Sequence, residues 1–213
     1  MKLYTYFRSS AAYRVRIALN IKGLAYEAVP RQLARGEQRA SDYLELNPFG
    51  LVPLLIDGKT VISQSLAIIE YLEETHPEPS LLPGRAAERA LIRSLALAIA
   101  CDIHPLNNLR VLNYLRGPMA QSDAAVSSWY RHWVAAGLQA LETQAARVPS
   151  DGKHLVGSQV TLADVCLVPQ MYNARRFECD IAPYPRLRQV SAHLESLPGF
   201  ARAAPEAQPD SAS

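Results

Sequence analysis

The residues able to do chemistry fall in short stretches. The first is Arg8-Ser9-Ser10-Ala11-Ala12-Tyr13-Arg14-Val15-Arg16. Paired hydroxyls ahead of a helical run make either an N-cap or an anion site, because the first N–H groups of a helix lack intrahelical partners. Arg14 and Arg16 read as isolated cations on a mixed surface, too few for a nucleic-acid patch. The second stretch is Val52-Pro53, ahead of an apolar run. Proline cannot donate to a ladder, so it marks an edge or a cis bond. A trans edge proline is the commoner case; a cis bond would turn the Val52 N–H and C=O toward a peptide-like ligand.

Gln64-Ser65 opens a further helix. Ser65 serves there as an N-cap, or its hydroxyl and the helix end hold a carboxylate. Gln64 offers donor and acceptor to an amino-acid head group. In Asp102-Ile103-His104-Pro105-Leu106-Asn107-Asn108-Leu109-Arg110, the spacing puts His104 and Asn108 on one face, with Arg110 less closely aligned. That face is either solvated or lines a cavity at a proline kink. One histidine without paired carboxylates is no metal site, and no G-x-S-x-G accompanies it. In Asn173-Ala174-Arg175-Arg176-Phe177, one arginine suits the helix dipole and the other can reach a ligand carboxylate.

Two differently patterned regions position these residues. Up to about residue 80 the order is β-α-β-α-β-β-α: a strand at Leu3 to Phe7, a helix from Ala11 to Lys22, and a strand at Tyr26 to Pro30. A weaker helix over Gln38 to Leu46, a hairpin around Asp57-Gly58 and a helix from Ser65 follow. Strand–helix–strand units imply a parallel pair, and the hairpin makes the sheet mixed. The Pro-rich run from His76 to Gly84 reads as a linker. Beyond it the pattern is helical. One long helix runs from Ala86 to Arg116, kinked at Pro105, and another from Asp123 to Arg147. A helix starts sharply at Thr161 with Asp164 completing a capping box, and shorter helices lie near Leu187 and Phe200. The Ala/Pro/Ser-rich tail from Ala203 reads as poorly ordered.

Composition removes several function classes. The chain has 213 residues and a formal net charge of +2, enough for a sizeable core and too little charge for non-specific nucleic-acid binding. Its three cysteines, Cys101, Cys166 and Cys179, all lie in the second half. They exclude a disulfide framework, a C-x-x-C pair and a cysteine nucleophile in the first half, and they read as buried packing residues. No apolar run is long enough to span a membrane, and the start is too short and polar for a signal peptide, so a cytoplasmic location is expected.

Taken together, these motifs resemble the zeta class of the glutathione transferase superfamily, the class of maleylacetoacetate and maleylpyruvate isomerases. The carriers are Arg8-Ser9-Ser10 to Leu19, Leu46-Asn47-Pro48 to Val52-Pro53, and Gln64-Ser65 to Glu74. Ile103-His104-Pro105-Leu106-Asn107-Asn108, Thr161 to Gln170, Arg176-Phe177 and Pro183-Tyr184-Pro185 extend the match over about residues 1 to 210. The resemblance implies a thioredoxin-like α/β N-terminal domain over 1–80, an all-α C-terminal domain over 86–213, and a homodimer. It implies glutathione as cofactor and a glutathione-dependent cis–trans isomerisation of a dicarboxylate. Neither nucleic acid nor membrane is implied as a partner. Ser9 or Ser10 would ionise the glutathione thiol beside Ala11. Val52-Pro53 would pair with the cysteinyl backbone, Gln64 and Ser65 would hold the γ-glutamyl end, and Gln38 would reach the glycine end. His104, Asn108 and Arg110 occupy family glutathione or substrate positions, and Arg8, Arg110 and Arg176 are candidates for the substrate carboxylates. The family loop commonly reads Ser-Ser-Cys; here Ala11 takes the third place, so a protein thiol is not available at that position. A general transferase acting on electrophiles would share the glutathione site. A non-catalytic module would not need the serines and Gln64.

Overall fold

In this computed structural model, which describes residues 1–212, the expected element order of the first region holds. Strand β1 (Lys2–Thr5) leads into helix α1 (Ser10–Ile21) and strand β2 (Glu27–Pro30). Helix α2 (Ser41–Leu46), strands β3 (Leu54–Asp57) and β4 (Thr60–Ser63), and helix α3 (Ser65–Thr75) follow. The strands lie in the order β2-β1-β3-β4, with β1 parallel to β2 and antiparallel to β3. Leu3 pairs with Ala28 on one side and Leu55 on the other. The β3–β4 hairpin closes between Asp57 and Thr60, where Gly58 takes a φ of +58° that a side chain would resist.

Two local expectations change. The first strand ends at Thr5 rather than Phe7, because Tyr6 and Phe7 enter a turn closed by the Ser9 N–H to the Tyr6 carbonyl at 3.0 Å. The expected helix over 38–46 is only α2. Gly36 is left-handed and Ala40 extended, which leaves Glu37–Arg39 as a single 3-10 turn.

Helix α1 packs against α3 and against the short helix α9 (Pro198–Ala201), and every residue from Ala12 to Leu19 is buried. Arg14 and Arg16 are therefore core residues, not surface cations. A third buried cation, Lys22, pairs with Glu73 at 2.6 Å. It also donates to the His76 and Pro79 carbonyls, at 2.7 and 3.0 Å. Glu73 in turn accepts from the Leu81 N–H and the Ser80 hydroxyl, both at 2.9 Å. This knot fixes the segment after α3 and satisfies the buried charges with directed partners.

Contacts divide the chain into two units, Met1–Leu81 with Ser196–Ser213, and Leu82–Glu195. The tail expected to be poorly ordered instead forms 3-10 turns at Pro205–Ala207 and Pro209–Ala212, with Pro205, Gln208 and Asp210 buried. Gln208 secures it by donating to the Arg202 and Ala204 carbonyls, at 2.9 and 3.0 Å.

The second unit is helical. The expected helix from Ala86 to Arg116 is broken into α4 (Ala86–Leu97), a π-helical turn (Ala98–Ile103), a 3-10 turn (Pro105–Asn107) and α5 (Leu109–Arg116). Pro105 has no N–H to continue the ladder, and the wider π turn is closed by the His104 N–H to the Ile99 carbonyl at 3.0 Å. Helices α6 (Asp123–Ala145), α7 (Leu162–Arg176) and α8 (Pro185–Glu195) complete the unit. On α6, Gly137 lets Ile103 lie against its backbone; a side chain there would overlap Ile103. The capping box at α7 forms as expected. Thr161 donates its N–H and hydroxyl to Asp164 Oδ2, each at 2.8 Å, and the Leu155 N–H reaches Oδ1 at 2.8 Å. Burial pushes the Asp164 carboxyl up to about 6, against those three donors. Among the described residues no helix is long and apolar enough to cross a membrane.

Candidate active site

The turn from Tyr6 to Ser9 delivers the chain into α1, and Ser9 is the N-cap. Its Oγ accepts from the Ala12 N–H at 3.2 Å, and its carbonyl accepts the first helical bond from the Tyr13 N–H at 2.8 Å. The Ser9 hydroxyl hydrogen stays available to donate. Ser10 follows as the first helical residue and is buried. The next N–H, that of half-buried Ala11, has no hydrogen-bond partner among the described residues. A hydroxyl donor and an open N–H at a helix N-terminus form a seat for an anion such as a thiolate. Arg8 is exposed beside it, with its guanidinium 4.8 Å from the Phe7 ring centroid.

The Val52–Pro53 peptide is cis. The Val52 side chain is buried with Tyr43 and Leu54, and Tyr4, Tyr6 and Leu33 pack on that cluster. The preceding carbonyl, that of Leu51, is taken by Tyr43 Oη at 2.6 Å and Asn47 Nδ2 at 2.7 Å. Val52 itself engages neither N–H nor C=O among the described residues, so both stand ready to pair with an extended ligand.

Gln64, not Ser65, is the N-cap of α3, and it holds a φ of +73° without being glycine. Such a backbone costs about 1–3 kcal/mol and persists where the surroundings require it. Ser65 is buried at the first helical position, and its Oγ accepts from Arg14 Nη1 at 3.4 Å. A buried cation thus backs the N-terminus of α3, reinforcing its preference for a carboxylate. Gln38 lies half-buried in the 3-10 turn, and its Oε1 is a buried acceptor with no partner. Gly50 permits this, since a Cβ there would sit 3.0 Å from the Gln38 carbonyl.

In the second unit, the shared helical face expected for His104 and Asn108 does not exist, because the π and 3-10 turns redirect the chain between them. His104 is half-buried where the π turn ends. Asn108 is the N-cap of α5; its Oδ1 accepts from the Arg110 N–H at 3.2 Å, and its amide is left to donate. Arg110 is exposed in the first turn of α5 and makes no ion pair among the described residues.

The two arginines ending α7 have different surroundings. Arg175 donates to Glu195 Oε1 at 2.6 Å. Arg176 has no carboxylate partner among the described residues and rests over the Phe177 ring, 4.9 Å from its centroid. Phe177 is itself stacked on Tyr130 at 3.9 Å, and burial raises the Tyr130 phenol above its ordinary pKa. An arginine on a fixed aromatic platform is held ready for a bidentate carboxylate. Cys101 is exposed rather than buried; Cys166 and Cys179 are buried.

Sequence reasoning missed Arg14, Arg16 and Asp210. One signal was present for the first two. Residues two apart on a helix point to nearly opposite faces, so a run apolar on both sides must bury at least one of them.

Residues 1–74 match the family described as glutathione S-transferase, N-terminal domain, and residues 118–198 match glutathione S-transferase, C-terminal domain. The chain is 54% identical over 210 residues to a probable maleylacetoacetate isomerase of Vibrio cholerae, covering 98% of this chain and 97% of that one. It is similar to the holo structure of a bacterial maleylpyruvate isomerase, a zeta-class glutathione S-transferase, with a TM-score of 0.97 and 47% identity over 99% and 100% of the two chains. It is also similar to a maleylacetoacetate isomerase from Methylobacterium extorquens AM1 with bound malonate and glutathione, with a TM-score of 0.95 and 41% identity over 98% of each chain.

Proposed function

The chain belongs to the zeta class of the glutathione S-transferase family, and from that premise we propose that it is a glutathione-dependent cis–trans isomerase of maleylacetoacetate or maleylpyruvate. The observation that carries the reading is the set of open groups the fold leaves: the Ala11 N–H, both backbone groups of Val52, and the Gln38 Oε1. They fit a short peptide bearing a thiol, which has amides to pair with Val52 and a sulfur to seat at α1. When bound, glutathione supplies a sulfur nucleophile whose reversible addition to the cis double bond leaves a single bond able to rotate.

The chain's own groups do the rest. A free thiol with pKa about 8.5 is only a few per cent ionised at neutral pH. A hydroxyl hydrogen bond from Ser10 or Ser9, with the Ala11 N–H, favours the ionised sulfur; a shift of two units raises its population roughly twentyfold to thirtyfold. Gln64 and Ser65, backed by Arg14, hold the γ-glutamyl end, while Gln38 takes the glycine end. In the second unit His104 and Asn108 offer polar groups, and Arg110 and Arg176 offer cations suited to a carboxylate; in the first unit Arg8 offers the same.

The test is ultraviolet loss of each cis substrate with and without glutathione. Turnover that needs glutathione supports the reading, and turnover in its absence overturns it. Comparing the two substrates assigns the preferred one. Conjugation of apolar electrophiles without isomerisation would indicate a general transferase instead. We also infer a homodimer, supported by Phe49 and Val61 in the first unit and Leu97 in the second, large apolar side chains left exposed. Light scattering at the monomer mass at micromolar concentration would contradict it. The cytoplasm, where glutathione is abundant, is the location consistent with this chemistry.

A further inference from the structure

The turn that carries Ser9 is gripped by two buried side chains of opposite charge. Arg16 Nη1 donates to the Tyr6 carbonyl at 3.2 Å and to Thr5 Oγ1 at 3.0 Å. Its Nη2 donates to the Phe7 carbonyl and its Nε to the Ala203 carbonyl, each at 3.0 Å. From the far end of the sequence, Asp210 Oδ2 accepts from the Phe7 N–H at 3.0 Å. Both polar atoms of Phe7 are therefore held by ionic side chains, one residue before Arg8 and two before Ser9. Arg16 is fully buried and Asp210 is 7% exposed, so water competes little for either bond. Burial lowers Arg16 to about 10; Tyr26, Tyr13 and, least of the three, Asp210 work against that loss.

We propose that Asp210 is a positioning residue for thiol activation: by fixing Phe7 it sets the placement of Ser9, Ser10 and the Ala11 N–H against the sulfur. The proposal rests on the reading that these groups receive the glutathione thiol. A hydrogen bond to a charged acceptor is stronger and shorter than a neutral one, so losing it frees the first half of the turn. Misplacement by about 1 Å at a reacting group can cost roughly 10²-fold in rate. The role differs from stability alone, because it acts on the ionisation of a bound ligand.

The experiment follows the ultraviolet thiolate band of glutathione bound to the full-length protein across pH, for the wild type, Asp210→Asn and Asp210→Ala. The bound thiol pKa is expected to rise by about one unit in Asp210→Ala, a tenfold loss of thiolate below that pKa. The acid limb of kcat/KM should move with it. Asp210→Asn, whose amide oxygen still accepts from Phe7, should fall between. Affinity for S-methylglutathione, which has no thiol to ionise, should change less than about threefold. An unmoved thiol pKa and pH profile in folded variants, whatever their Tm, overturns the proposal. If Asp210→Ala does not fold, Asp210→Asn alone carries the same comparison. A wild type that binds glutathione but never shows the band overturns the thiol-activation reading itself and this proposal with it, which separates that failure from an unmoved band in the variants.

Discussion

The two units bury charge differently. The first buries cations alongside carboxylates: Arg16 and Lys22 donate to main-chain carbonyls, Arg14 backs Ser65, and Glu73 and Asp210 are buried with them. The second buries an anion, Asp164, bonded to two main-chain N–H groups and a hydroxyl at the start of α7. Their candidate site groups differ in the same sense. In the first unit several are backbone atoms held in place, at Ala11 and Val52. In the second, Arg110 and Arg176 are exposed side chains at helix ends. On the proposed reading, glutathione would be met largely by backbone, which substitution alters little, and the substrate by side chains, which substitution can replace freely.

The largest test of that contrast is the Lys22–Glu73 knot. Lys22→Met leaves Glu73 buried without its cation and should cost about 3–5 kcal/mol in urea unfolding. Arg175→Ala, which removes the exposed pair with Glu195, should cost under about 1 kcal/mol. Equal losses would erase the distinction between the units. Next, replacing Ser9 and Ser10 together by alanine should cut turnover on the order of 10²-fold at neutral pH. The gap should narrow as the pH passes about 8.5, where the thiol ionises unaided; a constant gap would mean the hydroxyls do something other than ionise it. Arg176→Ala should raise the substrate KM about tenfold while glutathione affinity stays level. If both ligands weaken alike, the division of labour between the units is wrong. The smallest effect is expected at Gln64. Gln64→Gly removes the penalty of a positive φ and should raise stability by up to about 1 kcal/mol, while weakening glutathione binding in calorimetry.

What the sequence made legible is mostly local. The Asp57-Gly58 hairpin and the Thr161–Asp164 capping box depend on neighbours in the chain, and both appear as expected. A serine also caps α1, but it is Ser9, one residue earlier than a helix start at Ala11 would place it. The break between α4 and α5 was only half visible: Pro105 marked it, but the π turn also needs Gly137, far along the chain, to admit Ile103. Arg14 and Arg16 were misplaced because α9 covers α1, and no local pattern announces a helix that arrives some 180 residues later. The tail was misjudged for a related reason. Its Ala/Pro/Ser composition buries little by itself, and its order comes in part from partners at Phe7 and Arg16 that composition cannot name. At the site, residue types were readable and openness was not. That Val52 leaves both backbone groups unused while Leu51 does not is settled by Tyr43 and Asn47, through packing.

The bond from Phe7 to Asp210 joins positions 203 apart. On a ribosome adding about 5–20 residues per second, roughly 10–40 s separate the synthesis of these two partners. Strands β2, β3 and β4 and the whole of the second unit are made within that interval, while the turn before α1 waits for its carboxylate. A nascent chain can therefore complete its sheet and its helical bundle and still hold the Ser9 turn loosely. Competence arrives as a late event in the life of each molecule, timed by how far along the message its final clasp is encoded.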